Sequence, residues 1–292
     1  MSVPENKQIA SLSQREERIR RILLIMAMSS VSVLALIIIF VFREGVPLIF
    51  SNGLAAFIGG QRWAPTKGSF GIFPMIIGTI EVTLGALMIG VPLSLLVSLY
   101  LSEFADRRVR TVMKPLIELL AAVPSVVYGF IGVVLLVPLV RNYFGGTGFS
   151  VISASIILGI MILPTIISIS MDALRAVPQN YREGSLALGA TPWQTAVRVV
   201  LPAARSGIIT AVILGMGRAM GETMAVIMVA GNAVVVPTSP LHPCRTLTSN
   251  IAIEMAYASG THQQALFATG VVLFIMIFCL NISATLFVRR KR

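Results

Sequence analysis

Six apolar runs of membrane length limit the fold of this chain more than any other feature. They are Ile22–Phe42, Phe73–Leu101, Leu116–Val140 (interrupted at Pro124), Val151–Met171 (with Pro164 inside), Ser206–Ala230 and Ala265–Val288. A helix needs about 20 apolar residues to cross a hydrocarbon core of ~30 Å, and in lipid each segment must satisfy its own backbone polar groups. The sequence therefore predicts an all-α integral membrane protein with six transmembrane helices. Composition agrees: only 12 % of the 292 residues are charged and the mean hydropathy is +0.88, roughly half the charge of a soluble domain. The run at Ile22–Phe42 is too long for a signal-peptide core and reads as a retained first helix.

The net charge of +11 does not imply nucleic acid, because the basic residues sit in short clusters at the ends of apolar runs. With the N-terminus inside, 17 of the 23 Lys and Arg fall on inner segments, five fall on outer ones, and Arg218 lies within a span. The positive-inside rule then places both termini in the cytoplasm. Residues 1–21 form a cytoplasmic arm, and 22–292 form one permease-like membrane domain. Its one long half-polar segment, about 172–205, faces the cytoplasm. Cys244 and Cys279 lie in different contexts, a loop and an apolar run, and His242 and His262 have no partner at metal-ligand spacing. There is no HExxH, GxSxG, CxxC or GxxxxGK[ST] pattern, so the sequence carries no enzyme signature and no P-loop for ATP.

The half-polar segment reads as two short helices. Pro178 opens the first, Gly189 closes it as the residue with positive φ, and Thr191-Pro192-Trp193-Gln194 starts the second with a capping box. Trp193, Ala196, Val197, Val200 and Leu201 form an apolar stripe, with Gln194, Thr195 and Arg198 opposite. Glu183-Gly-Ser, then Gly189, then Val199-Val200-Leu201-Pro202 resembles the EAA loop of ABC-importer membrane subunits. Gly184 and Ser185 replace its two alanines, and Val199 replaces an isoleucine. The resemblance implies a type I importer permease whose loop docks on a cytoplasmic ATPase through Arg182, Glu183, Gly189, Trp193, Leu201 and Pro202.

Ionisable residues inside spans cost a few kcal/mol or more and mark functional positions. Arg218 and Glu222 stand four apart in GMGRAMGETMAV, so a continuous helix puts them on one face. Arg218 is 13 residues beyond Arg205, about 20 Å into the membrane at 1.5 Å per residue. Gly217 and Gly221 beside it allow a second helix close. Two readings stay open. The two residues neutralise each other structurally, or Arg218 is a cationic station for an anion and Glu222 holds or gates it. Glu81 either pairs with Arg218 across helices or is a polar packing residue. Glu118 reads as interfacial, and Glu254 as solvated or in contact with a partner.

LIELLAAVPSVVYGFIG, RAMGETMAVIMVAGN and LTSNIAIEMA (starting at Leu116, Arg218 and Leu247), together with the loop, are similar to the PstC type of phosphate-transport permease. This resemblance covers nearly the whole chain beyond residue 40. It implies a bacterial inner-membrane importer containing a PstA-like second permease, two PstB-like ATPase subunits and a PstS-like periplasmic phosphate-binding protein. ATP and Mg2+ would sit on the ATPase and no cofactor on this chain. The binding protein would dock on loops 43–72 and 231–264, and Arg218, Glu222 and Glu81 would line the path. Two alternatives stay open: a permease for sulfate or molybdate, and an ATPase-independent channel or ion-coupled carrier.

Overall fold

The computed structural model describes residues 5–290; the first four residues of the predicted arm and the last two of the basic C-terminus lie outside the described residues. In chain order the helices are α1 Glu5–Asn52, α2 Leu54–Gly59, α3 Phe73–Leu99, α4 Arg107–Ala122, α5 Ser125–Ile131, α6 Val137–Phe144, α7 Val151–Arg175, α8 Gln179–Ala187, α9 Pro192–Thr195, α10 Leu201–Ala203, α11 Arg205–Gly221, α12 Met224–Val229, α13 Leu247–Glu254 and α14 Thr261–Arg290. Between α2 and α3 lies a small hairpin, β1 Trp63–Ala64 antiparallel to β2 Ser69–Phe70. Its turn closes at Gly68 with φ 68°. Single π-helical turns extend α3 (Tyr100–Phe104), join α5 to α6 (Gly132–Leu136) and join α9 to α10 (Ala196–Val200).

Five helical segments among the described residues are long and apolar enough to cross a membrane: Ile19–Asn52, Phe73–Phe104, Ser125–Phe144, Val151–Arg175 and Thr261–Ser283. A sixth is reached when α11, the main piece of the fifth run, is counted together with the Pro192–Ala203 segment that it meets at a 70° bend. The arm predicted at residues 1–21 is helical from Glu5 and merges with the first span.

Two boundaries differ from the sequence reading. The third run does not begin at Leu116. Residues 116–122 finish α4, which starts at Arg107, and the span begins at Ser125. Pro124 disfavours helical backbone at the residue before it, and Val123 is extended (φ −63°, ψ 127°). Glu118 lies exposed on α4, 3.9 Å from Lys114. The fifth run is not one helix either. It stops at Gly221 and resumes at Met224.

α7 is the most enclosed span, with 61 % of its central window buried, against 0 % for the first. Small residues bring its neighbours close. A Cβ on Gly90 would sit 2.9 Å from the Gly159 carbonyl oxygen, and one on Gly85 would strike Ser155. Ser155 donates from α7 to the Val82 carbonyl (3.3 Å), and Ser94 donates from α3 to the Leu163 carbonyl (3.4 Å). α11 approaches α7 where Gly215 meets Ile166 and Gly207 meets Ala173. α1 lies at the edge against α14. Phe40 packs edge-on to Phe267 (5.4 Å) and Phe42 to Phe274 (5.7 Å). A Cβ on Gly45 would lie 2.7 Å from the Ala268 backbone nitrogen.

On the side away from α8, a polar cluster holds the loops. Glu254, expected to be solvated or at a partner, is instead 7 % exposed. Its carboxylate accepts from Arg245 Nη1 (2.7 Å) and Trp63 Nε1 (2.8 Å), and His262 Nε2 lies 2.8 Å away. Arg245 also reaches Asn250 Oδ1 and the Asn232 carbonyl, each at 3.0 Å. The cluster pins hairpin, loop, α13 and α14 together.

Candidate coupling surface and translocation path

The loop between α7 and α11 forms as its sequence dictates. Pro178 stands just before α8, at the cap position (φ −57°, ψ 142°), not within its first turn. α8 ends in a Schellman motif: Ala190 N donates to Ser185 O (3.2 Å), Gly189 N donates to Leu186 O (2.9 Å), and Gly189 has φ 86°. Thr191 Oγ1 then accepts from Gln194 N (3.2 Å), and Gln194 Oε1 accepts from Thr191 N (3.0 Å), completing the predicted capping box. Ser185, one of the departures from the EAA pattern, has a purpose here. Its hydroxyl lies 3.0 Å from that of Thr195 and joins the two helices. At Gly184 a Cβ would meet nothing within 4 Å, so this departure creates no contact.

The second helix faces differently from the sequence reading. Thr195, read as lying opposite the apolar stripe, is 4 % exposed, and Ala196, Val200 and Ala204 are buried with it. Trp193, on the apolar stripe, is largely exposed and lies 6.0 Å from Phe104. The π turn at Ala196–Val200 adds a residue to that turn and rotates everything after it. Leu201 packs beside the cluster of Leu99, Leu174, Val177 and Ile208, and Pro202 is exposed. Glu183 is exposed, and Tyr181, Leu186, Leu188 and Trp193 show large apolar surfaces, Leu188 at 90 %. These exposed apolar side chains gather on one short capped motif.

Arg182 points the other way. Its Nε donates to Glu103 Oε2 (3.0 Å) and its Nη2 to Glu103 Oε1 (2.8 Å), a two-pronged pair. It also donates to the carbonyls of Val177 (2.7 Å) and Leu174 (2.9 Å) at the end of α7. The hydrogen bonds to Glu103 raise the guanidinium pKa above its usual value, so its charge is permanent. Glu103 was missed in the sequence because 79 positions separate the partners. Its one local signal is an acidic residue at the end of an apolar run.

Within the membrane, Arg218 and Glu222 are not a pair. Glu222 ends α11 in extended geometry (φ −68°, ψ 133°), so the four-residue spacing no longer puts both on one helix face. Its Oε1 accepts from Ala225 N (3.1 Å), capping α12, and its carbonyl accepts from Thr248 Oγ1 (2.9 Å). Gly221 weakens the helix there, and a carboxylate at the next helix start stabilises the restart. Arg218 Nη1 donates to Thr165 Oγ1 of α7 (3.2 Å). Among the described residues it has no carboxylate within salt-bridge distance. Gly217 and Gly221 meet nothing within 4 Å. Within this chain the close helix approach occurs at Gly207 and Gly215 instead.

Glu81 is half-buried on α3 and lines a cavity of about 450 Å³ with Met88, Ser155 and Pro237–Pro240. Arg218 is tied to Thr165, ten residues further along α7, about 15 Å away by helical rise. Glu81 and Arg218 therefore stand at different depths and do not pair. Burial, with the Glu81 charge adding, pushes the neighbouring Cys244 thiol up to about 12.

A six-span helical body with a broken, arginine-bearing fifth span and a capped helix-turn-helix on one side defines a multi-pass membrane permease. Residues 90–292 match the family described as binding-protein-dependent transport system inner membrane component, and the chain belongs to that family. It is 38 % identical to the probable ABC transporter permease protein YqgH of Bacillus subtilis, over 95 % of this chain and 93 % of that one. It is 36 % identical to the phosphate transport system permease protein PstC of Xylella fastidiosa, over 80 % and 79 %. The fold is the type I ABC-importer permease fold. The membrane component of a bacterial alginate ABC transporter superposes with a TM-score of 0.63 over 94 % of this chain and 97 % of that one at 16 % identity. An inward-facing MetNI methionine transporter gives 0.56 over 76 % and 94 % at 22 %.

Proposed function

We propose that this chain is the PstC-type half of an ATP-driven phosphate importer. The observation that carries the reading is Arg218, a partly buried cation without a carboxylate partner among the described residues, beside glycines that face open space. An uncompensated cation at membrane depth favours an anion, and a guanidinium donates paired hydrogen bonds to an oxyanion. A PstA-like permease closes the open glycine face. The loop side is cytoplasmic, as are both termini, and two PstB-like ATPases carrying ATP and Mg2+ dock on the exposed surface around Glu183, Leu188 and Trp193. A PstS-like phosphate-binding protein docks on the opposite side, where the Glu254 cluster orders the loops. The unwound Glu222–Thr223 step is the hinge of the path and Glu81 lines its far mouth.

Uptake of labelled phosphate tests this in phosphate-starved cells lacking the gene and complemented with wild type or Arg218→Lys. Wild type restores uptake, unlabelled phosphate alone competes, and Arg218→Lys fails. Competition by sulfate or molybdate refutes the substrate. Normal transport by Arg218→Lys refutes the guanidinium station. Transport by the purified chain alone in vesicles would establish a self-sufficient carrier instead.

A further inference from the structure

We infer that Glu103 and Arg182 form the strut through which the loop drives α3 and α7 together, making Glu103 a positioning residue of the transport cycle. This rests on the proposed docking of an ATPase on the loop. The first ground is geometric. One guanidinium joins three elements: the π turn ending α3 through both Glu103 oxygens (3.0 and 2.8 Å), the end of α7 through two carbonyls, and α8, which carries it. Both side chains are largely shielded, 15 % and 11 % exposed, and a two-pronged pair resists rotation as well as separation.

The second ground is what else holds the loop. Among the described residues, the Arg182 bonds are the only side-chain hydrogen bonds from residues 179–203 to the membrane helices. The remaining contacts are apolar, Trp193 beside Phe104 (6.0 Å) and Ala196, Val200 and Leu201 on Leu99 and Leu174, and burial of apolar surface is not directional.

The receiving end is stiff. Arg110 donates to the carbonyls of Leu101 (2.9 Å), Ser102 (3.1 Å) and Ala105 (3.4 Å), fixing the turn that bears Glu103. Beyond it, α3 and α7 are locked by the Gly90–Gly159 approach and by Ser94 and Ser155. α7 carries Thr165, the partner of Arg218. A push on the loop thus reaches the arginine as a movement of one rigid pair of helices.

The test uses the complete importer, with ATPase and binding protein, in proteoliposomes, and reads phosphate moved per ATP hydrolysed. Glu103→Gln and Arg182→Lys keep the ATPase bound and hydrolysing, but lower that ratio at least about tenfold, because the first removes one charge of a shielded pair and the second keeps the charge but loses the two-pronged grip. The double variant falls no further. A wild-type ratio in an assembled Glu103→Gln complex overturns the strut and leaves docking intact. Failure of the ATPase to co-purify with wild type overturns the docking reading, and the strut with it.

A second measurement leaves the pair unaltered. Spin labels at Asn180→Cys on α8, outside the docking surface, and Leu96→Cys on α3, in a Cys279→Ser background, report their separation during ATP turnover. The strut keeps it constant. A change of about 5 Å, one helical turn, overturns it even if Glu103→Gln does not fold.

Discussion

Replacing Gly189 isolates the conformational part of coupling from the contact part. Its φ of 86° closes the Schellman motif, and a Cβ there would meet nothing within 4 Å. A side chain therefore removes no contact and creates no clash; it only costs the left-handed backbone, about 1–2 kcal/mol for an ordinary L-residue. Such a cost shifts the fraction of correctly folded loop by roughly 5- to 30-fold. Asn, which tolerates this conformation, costs less, and a β-branched residue costs more. Phosphate moved per ATP in reconstituted importers should therefore fall in the order Gly, Asn, Ala, Val, while ATPase binding weakens in parallel. If Val equals Asn, or if Ala lowers transport without weakening ATPase binding, the conformational account of this turn is wrong.

Other outcomes follow from single observations. Glu254→Ala strands Arg245 and frees Trp63 and His262, so thermal unfolding in detergent should show a loss of about 3–5 kcal/mol; a loss under 1 kcal/mol would mean the cluster is solvated. Cys279 is exposed and Cys244 buried, with its thiol pushed up to about 12. A membrane-permeant maleimide should leave Cys244 unlabelled between pH 7 and 9 until the protein is unfolded, as intact mass will show, since a thiol reacts as its thiolate. Gly45→Leu forces α1 off the Ala268 backbone, which is already 2.7 Å from a bare Cβ position. Cysteine cross-linking between these helices near that site should be lost while the fold of the other spans, read by limited proteolysis, persists.

The spans and the loop were legible because their signals are local. An apolar run of 20 residues declares itself, and the Thr191–Gln194 box and Gly189 need no tertiary context. The break at Glu222 was hidden because Ser206–Ala230 has the length and composition of one continuous span; only the bond to Ala225 N and the bond from Thr248 show what holds it open. The split of the stripe between Trp193 and Val200 was hidden by a π turn, which rotates the residues after Thr195 and leaves no compositional trace. The Glu103–Arg182 and Trp63–Glu254 contacts join positions 79 and 191 apart. Such pairings come from the assembled bundle, and no window along the chain reports them.

The contact between α1 and α14 bears on how the protein is made. In its membrane part α1 packs chiefly on the last helix, from Phe267 to Phe274, while Leu48 and Ile49 at its end join Phe57, Phe70, Ile72 and Met75 and its apolar residues from Ile22 to Phe40 are otherwise bare. During synthesis the first helix must therefore wait in lipid, held only at its end by α2, the hairpin and the start of α3, until more than 200 further residues have been inserted. A ribosome that stalls before α14 leaves a nearly complete bundle with a loose first helix, an early and recognisable mark for a membrane protease.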